Sequence, residues 1–222
     1  MTWITLPGVP LGARAFDRLQ TEMSCHRFIG LSTSQYRDDW GLDSFVEEVS
    51  ETVASRMVLG HDFGGLIGAI ASLRVSMKAL VLTGSALGHW WCMTRWSALP
   101  GLHYFFYRAF QGQLFAQRGL SQRHRVHFER DFAGYLSLPN LSERMRRTAQ
   151  NIYPPKRLAQ QLTVPLFLIW GKNDPWYPPV VARRISKATG APIYWIDGGH
   201  YCMWESPAEF DRALMKIERK IA

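Results

Sequence analysis

The sequence predicts an α/β fold, a mostly parallel sheet flanked by helices on both faces and broken by one helical insertion. Three observations carry that expectation. Short apolar runs alternate with helical stretches at both ends of the chain, the pattern of strands joined by crossover helices. Glycine-containing turns close several of those runs, as at Pro7-Gly8, Gly60 to Gly65 and Gly198-Gly199. The middle segment, residues 84–163, has no strand-like alternation and collects aromatic and basic side chains instead.

Taken in order, Trp3 to Leu6 reads as a buried strand stopped by Pro7-Gly8. Ala13 to Leu19 reads as a first helix and His26 to Leu31 as a second strand. Asp43 to Val53 places Phe45, Val46, Val49 and Val53 at helical spacing, with Ser44 and Glu47 offering a capping box at its start. Arg56 to Leu59 is a strand, Gly60 to Gly65 a turn, Leu66 to Leu73 a helix of small residues, and Lys78 to Thr83 a strand. The alternation resumes with Val164 to Trp170 (strand), Val180 to Ala188 (helix), Pro192 to Ile196 (strand) and Ala208 to Arg219 (helix). Residues 1–83 and 164–222 are therefore expected to form one core, and 84–163 a helical insertion.

Composition agrees with a single globular domain. The chain has 222 residues, of which 47% are hydrophobic and 20% charged, enough apolar surface for a sizeable core and too little polarity for disorder. The longest apolar runs, such as Leu166 to Trp170, are far too short to span a bilayer, and Pro7, Gly8 and Pro10 interrupt any signal-peptide pattern. Three scattered cysteines, Cys25, Cys92 and Cys202, suit a reducing compartment and show no metal-ligand spacing. A cytoplasmic protein without metal or organic cofactor is expected.

The net charge of +8 is local. Residues 84–163 hold eleven basic side chains against three acidic ones, so the whole excess lies there, and the remaining 15 basic and 15 acidic residues cancel. A segregated field of this kind draws anions to one part of the surface. No nucleic-acid-binding module accompanies it, so a small anionic substrate or an acidic carrier protein is the expected partner.

The chemistry concentrates after strands. Gly60-His61-Asp62-Phe63-Gly64-Gly65 follows one strand and opens a helix, the context of a nucleophile elbow with Asp62 at its tip. Asp174 follows the strand ending at Trp170, and His200 follows the last strand. Nucleophile, acid, histidine is the chain order that such an elbow uses.

These residues carry a resemblance. The phrases VLGHDFGG, VPLFLIWGKNDPW and DGGHYCMWESPAEF, in this order, resemble landmarks of the α/β-hydrolase fold, over about Trp3 to Ile221. GHDFGG is similar to the elbow of soluble epoxide hydrolases and haloalkane dehalogenases, which use an aspartate nucleophile. Pro7-Gly8-Val9-Pro10 resembles the epoxide-hydrolase H-G-x-P turn with Pro7 in place of histidine, and the stretch around Tyr153 is weakly similar to a cap carrying an epoxide-activating tyrosine. The resemblance implies an α/β-hydrolase sheet lacking its N-terminal hairpin, with 84–163 as a helical cap inserted after the sixth family strand. It implies a triad of Asp62, Asp174 and His200, an oxyanion hole from the backbone N–H groups of Phe63 and Val9, and a proton donor among Tyr153, Tyr104 and Tyr107. Phe63 stands where dehalogenases hold halide with tryptophan, which disfavours that chemistry.

Each assignment has a plainer reading beside it. Asp62 is a nucleophile, a base, or a replacement of serine in a binding protein that no longer catalyses. Asp174 also reads as a helix cap before Pro175, Asp197 as a loop support, and His61, His89 and His103 as structural or surface histidines. The cap tyrosines read equally as packing. The expected function is a hydrolase that opens an epoxide, or displaces another leaving group at an sp³ carbon, on a small substrate with an apolar part. The alternative is an ester- or thioester-hydrolase-like or non-hydrolytic biosynthetic enzyme acting on an anionic or carrier-bound substrate.

The charge segregation makes a testable statement. If the basic segment steers an anionic substrate, replacing Arg144, Arg146 and Arg147 by Ser should lower kcat/KM and flatten its dependence on salt. Equal and salt-insensitive values for both proteins would reduce the cluster to a solvated surface.

Overall fold

A computed structural model of the chain describes residues 1–8, 15–16, 19–20, 22–23, 25–31, 42–85, 87, 124–126, 129–130, 133 and 160–222. Its elements are β1 (Thr2–Leu6), β2 (Arg27–Gly30), α1 (Leu42–Val53), β3 (Met57–His61), α2 (Phe63–Ala71), β4 (Ala79–Thr83), β5 (Leu166–Gly171), α3 (Pro179–Thr189), β6 (Ile193–Ile196), α4 (Cys202–Glu205) and α5 (Pro207–Ile221). The strands form one six-stranded sheet in the order β2-β1-β3-β4-β5-β6. Every adjacent pair is parallel.

The period-two alternation of strands explains why this sheet needs two layers of helices. Val58, Leu80 and Leu168 point to one face and pack with α1, α2 and α3 through Val46, Val49, Leu66, Ile67 and Ile185. Leu59, Val81 and Ile169 point to the other, where Phe16, Leu19, Phe210, Leu214 and Ile217 cover them. The central strands β3, β4 and β5 are consequently buried along their whole length, as strands sandwiched between helices must be.

At the β2 side of the molecule a buried polar cluster ties α5 to the sheet. The Trp3 indole N–H donates to Glu218 Oε1 at 3.0 Å. His26 lies between two carboxylates of α5, with Nδ1 3.0 Å from Glu218 and Nε2 3.0 Å from Asp211. Pairing is what makes such groups tolerable out of water.

Several boundaries differ from those read off the sequence, each for a physical reason. The helix expected from Leu66 begins at Phe63, so only Asp62 makes the turn. Gly64 is there because the helix start packs on β1: a Cβ on it would lie 1.9 Å from the Leu6 carbonyl oxygen. The glycines expected to form a loop thus permit a close helix–strand contact. Helix α1 already runs at Leu42, so Ser44 sits inside its first turn and cannot be its N-cap. The helix expected at 13–19 falls mainly outside the described residues, although Ala15, Phe16 and Leu19 are buried.

Most of the 84–163 segment also lies outside them, including Trp90, Trp91 and the 104–107 aromatic run. Within its described part, His124 is helical and stacks on Trp204 with centroids 5.4 Å apart. Among the described residues no helix is long and apolar enough to cross a membrane.

Gly64→Ala tests the close approach. The added methyl meets backbone rather than a movable side chain, so the substitution should destabilise the fold by roughly 3 kcal/mol. Equilibrium denaturation that shows no loss would mean that the helix start is free to move off β1.

Candidate active site

The site is built where the sheet changes winding direction. Strand β1 pairs with β2 on one side and β3 on the other, which opens a crevice beyond their carboxyl ends, the place where open α/β sheets bind ligands. Asp62 stands there as the single residue between β3 and α2. Its backbone adopts φ 51° and ψ −121°, a conformation that costs a residue with a side chain free energy. Three hydrogen bonds hold it: its N–H donates to the Thr83 carbonyl at 3.1 Å, and its own carbonyl accepts from the Gly65 N–H at 3.1 Å and the Ser85 hydroxyl at 3.2 Å. The side chain lies against the turn after β1, where a Cβ on Gly8 would sit 2.6 Å from Asp62 Oδ2. Only glycine leaves the carboxylate that space.

Asp174 follows β5 and is engaged on both oxygens. Oδ1 accepts the N–H groups of Trp176 and Tyr177 at 2.8 and 3.0 Å, closing a tight turn of the chain on itself. Oδ2 accepts from His200 Nδ1 at 3.0 Å. A carboxylate can only accept there, so Nδ1 carries the hydrogen and Nε2 is left for chemistry. His200 is 2% exposed and ringed by aromatic side chains: His61 at 4.5 Å, Tyr201 at 5.0 Å, Tyr177 at 5.6 Å and Trp176 at 5.7 Å between centroids. Glu205 Oε2 accepts the Gly199 N–H at 2.6 Å and so pins the loop from behind.

The charges of these groups regulate one another. Burial raises the pKa of Asp62 above the ordinary aspartate value, opposed by the charge of His200 and by hydrogen bonds from Tyr177 and the Phe63 N–H. Burial acts against protonation of His200. The charge and hydrogen bond of Asp174, with Asp62 and Glu205 adding to them, outweigh it and hold the imidazole above its usual value. His61 is pushed well down, by burial first and then by its charged neighbour. It remains a neutral ring that donates through Nε2 to the His200 carbonyl at 3.1 Å.

The structure sets His200 in a hydrogen bond with Asp174 and within range of the Asp62 charge. The side-chain hydrogen bond on Asp62 Oδ1 comes from the Tyr177 hydroxyl, at 2.8 Å, and not from His200. Tyr177 escaped the sequence reading because only its distance past Asp174, three residues along a Pro-containing turn, hints at it. Asp197 supports the loop through its backbone, its N–H donating to Glu209 and its carbonyl accepting from Ser206. Phe63 offers its N–H at the helix start, whereas Val9, Tyr104, Tyr107, Tyr153, His89 and His103 lie outside the described residues. Among those described, no group of three or more His, Cys, Asp or Glu side chains is arranged to hold a metal ion.

Burial of Asp62 has a consequence for stability with a definite sign. Its pKa is higher folded than unfolded, so across the window between the two values the folded chain binds more protons and stability falls as pH rises. Asp62→Asn should therefore melt at a higher temperature than the wild type above that window, by a margin that shrinks as pH is lowered through it. A pH-independent difference between the melting curves would refute the linkage.

A family model for the alpha/beta hydrolase family matches residues 4–213. Among solved structures, a hydrolase from Pseudomonas aeruginosa superposes with a TM-score of 0.75 at 15% identity, over 97% of this chain and 88% of that one. An epoxide hydrolase from Bacillus megaterium, in a variant complexed with its product, gives 0.73 at 14% identity, over 98% and 93%. The enol-lactonase from Burkholderia xenovorans gives 0.70 at 15% identity, over 97% and 90%. At such identities the likeness is one of fold. No curated protein sequence matches the chain. With a family match that runs almost from end to end, on a parallel sheet bearing its elbow and its histidine loop, the chain belongs to the alpha/beta hydrolase family.

Proposed function

We propose that this chain is a cytoplasmic hydrolase that opens an epoxide, or displaces another leaving group at an sp³ carbon, through a covalent ester on Asp62. The observation that carries the reading is a carboxylate at the elbow tip, beside a histidine already paired with its acid. A serine at that tip attacks carbonyls and leaves an ester. A carboxylate attacking a carbonyl would leave a reactive anhydride, whereas at an sp³ carbon it leaves an ordinary alkyl ester.

Asp62 is the nucleophile in the first half-reaction. In the second, His200 takes a proton from water through Nε2, with Asp174 holding the ring, and the water oxygen adds to the ester carbon of Asp62. The Phe63 N–H, with that of Val9 assigned as its partner, stabilises the resulting oxyanion. Collapse expels the product alkoxide, which recovers its proton from His200. The electrostatics favour this order. The charge of Asp62 raises the proton affinity of His200, and esterification removes that contribution, which favours the neutral imidazole that must act as a base.

A second reading makes Asp62 a general base on an anionic or carrier-bound ester-type substrate. It draws on the raised pKa of the Asp62 carboxyl group, which brings a carboxylate closer to the range useful for proton abstraction.

Two measurements decide between them. Replacing His200 by Gln should let the ester form without being hydrolysed, adding the mass of the epoxide to the peptide that bears Asp62. Single turnover of the wild type in ¹⁸O-labelled water should place the label in Asp62 only by the covalent route. Absence of both the adduct and the label would leave Asp62 as a base at most.

A further inference from the structure

Opening an epoxide requires a proton for the alkoxide that leaves carbon. The sequence pointed to a tyrosine of the inserted segment as its source, but a different tyrosine already touches the reacting group. We propose that Tyr177, on the core loop that carries the acid Asp174, is the general acid that protonates the leaving oxygen; this rests on the covalent reading above.

Geometry carries the proposal. The Tyr177 hydroxyl donates to Asp62 Oδ1 at 2.8 Å, the oxygen that faces away from Gly8, since Oδ2 is the one packed against that glycine. The backbone of the residue is held on both sides of its Cα. Its N–H donates to Asp174 Oδ1 at 3.0 Å, and its carbonyl accepts from the Trp170 indole at 2.7 Å. Its ring lies 5.6 Å from that of His200. The hydroxyl is thereby held beside the attacking carboxylate, and turning its proton away from Oδ1 frees it for the oxygen being displaced.

The proton balance closes within the site. Asp62 Oδ1 bonds to an epoxide carbon, the carbon–oxygen bond breaks with its electron pair going to oxygen, and the Tyr177 proton moves to that oxygen, leaving a tyrosinate. Water then adds to the Asp62 ester carbon, giving one proton to His200, which passes it to the departing alkoxide. The regenerated Asp62 carboxylic acid carries the second proton of that water and returns it to Tyr177 across the same hydrogen bond. Epoxide and water become diol, and every protein group ends as it began.

The acidity of Tyr177 changes in the direction this cycle needs. In the resting site its pKa stands well above the ordinary tyrosine value, because of burial first and the Asp62 charge second. Forming the ester removes that charge and its contribution at the moment the proton must be released. Positioned acids of this kind typically contribute on the order of 10²–10⁴-fold in rate.

The test measures adduct formation in the His200→Gln protein with and without Tyr177→Phe, using styrene oxide and its pentafluorophenyl analogue as probes. Phenylalanine keeps the aromatic ring at position 177 and removes only the hydroxyl, and matching melting curves for the two proteins verify that the fold is intact. The expected result is slower addition of styrene oxide to Asp62 by about 10²–10⁴-fold, with a distinctly smaller loss for the fluorinated epoxide, whose alkoxide is less basic. Equal adduct rates in the two proteins would overturn the acid role of Tyr177 and leave the covalent mechanism standing. An equal loss for both epoxides would also overturn it, making Tyr177 a positioning residue. If the His200→Gln protein with Tyr177 intact forms no adduct with either probe, the covalent reading falls and the acid role falls with it.

Discussion

A residue with a side chain stays at φ 51° and ψ −121° only where its surroundings leave it no other choice, and at Asp62 three strands combine to do so. Strand β3 delivers the chain, the Thr83 carbonyl at the end of β4 takes its N–H, and the turn after β1 walls the side chain through Gly8. The helix behind it cannot slide away, because Gly64 packs against the Leu6 carbonyl. Parallel pairing of β1, β3 and β4 is thus what aims the carboxylate out of the sheet, and loss of register in any of the three would turn it elsewhere.

With the carboxylate fixed, the protonation states of its neighbours follow from charge and burial. Asp174 and His200 are buried, and Asp62 and Tyr177 partly so, so each charge is felt strongly by the others. Asp174 decides the histidine tautomer and raises its affinity for a proton. Asp62 holds the Tyr177 proton in place. His61 is kept neutral by burial first and by the charge of His200 second, and serves as a donor to the loop rather than as a second charge. Cys202 beneath has its thiol pushed up to about 12, by burial first, so it is an inert packing group.

Strain at the site is affordable because stability is generated elsewhere. Both faces of the sheet bury continuous apolar layers, and the Trp3–His26–Glu218 cluster fastens α5 to the β2 side of the sheet, across it from the histidine loop. A rigid scaffold of that kind lets loops carry chemistry. Asp62, Asp174 and His200 are on the turns after β3, β5 and β6, and the residues that fold the chain are in the strands and helices between them.

The sequence by itself determined the layered parallel fold, the elbow with Asp62 at its tip, and the chain order that singles out Asp174 and His200. Each of these is written locally: apolar periodicity follows from which faces a strand or helix buries, and an elbow needs small residues within a few positions of one another. The tertiary structure alone decided that Gly64 belongs to a helix packed on Leu6, that both oxygens of Asp174 are already used, and that Tyr177 rather than His200 hydrogen-bonds Asp62. Those contacts join residues far apart in the chain or depend on how one turn curls, and no periodicity encodes a distance between two loops. Tyr177 and Asp62 are 115 positions apart, and only the closing of the sheet, strand upon strand, brings them within reach.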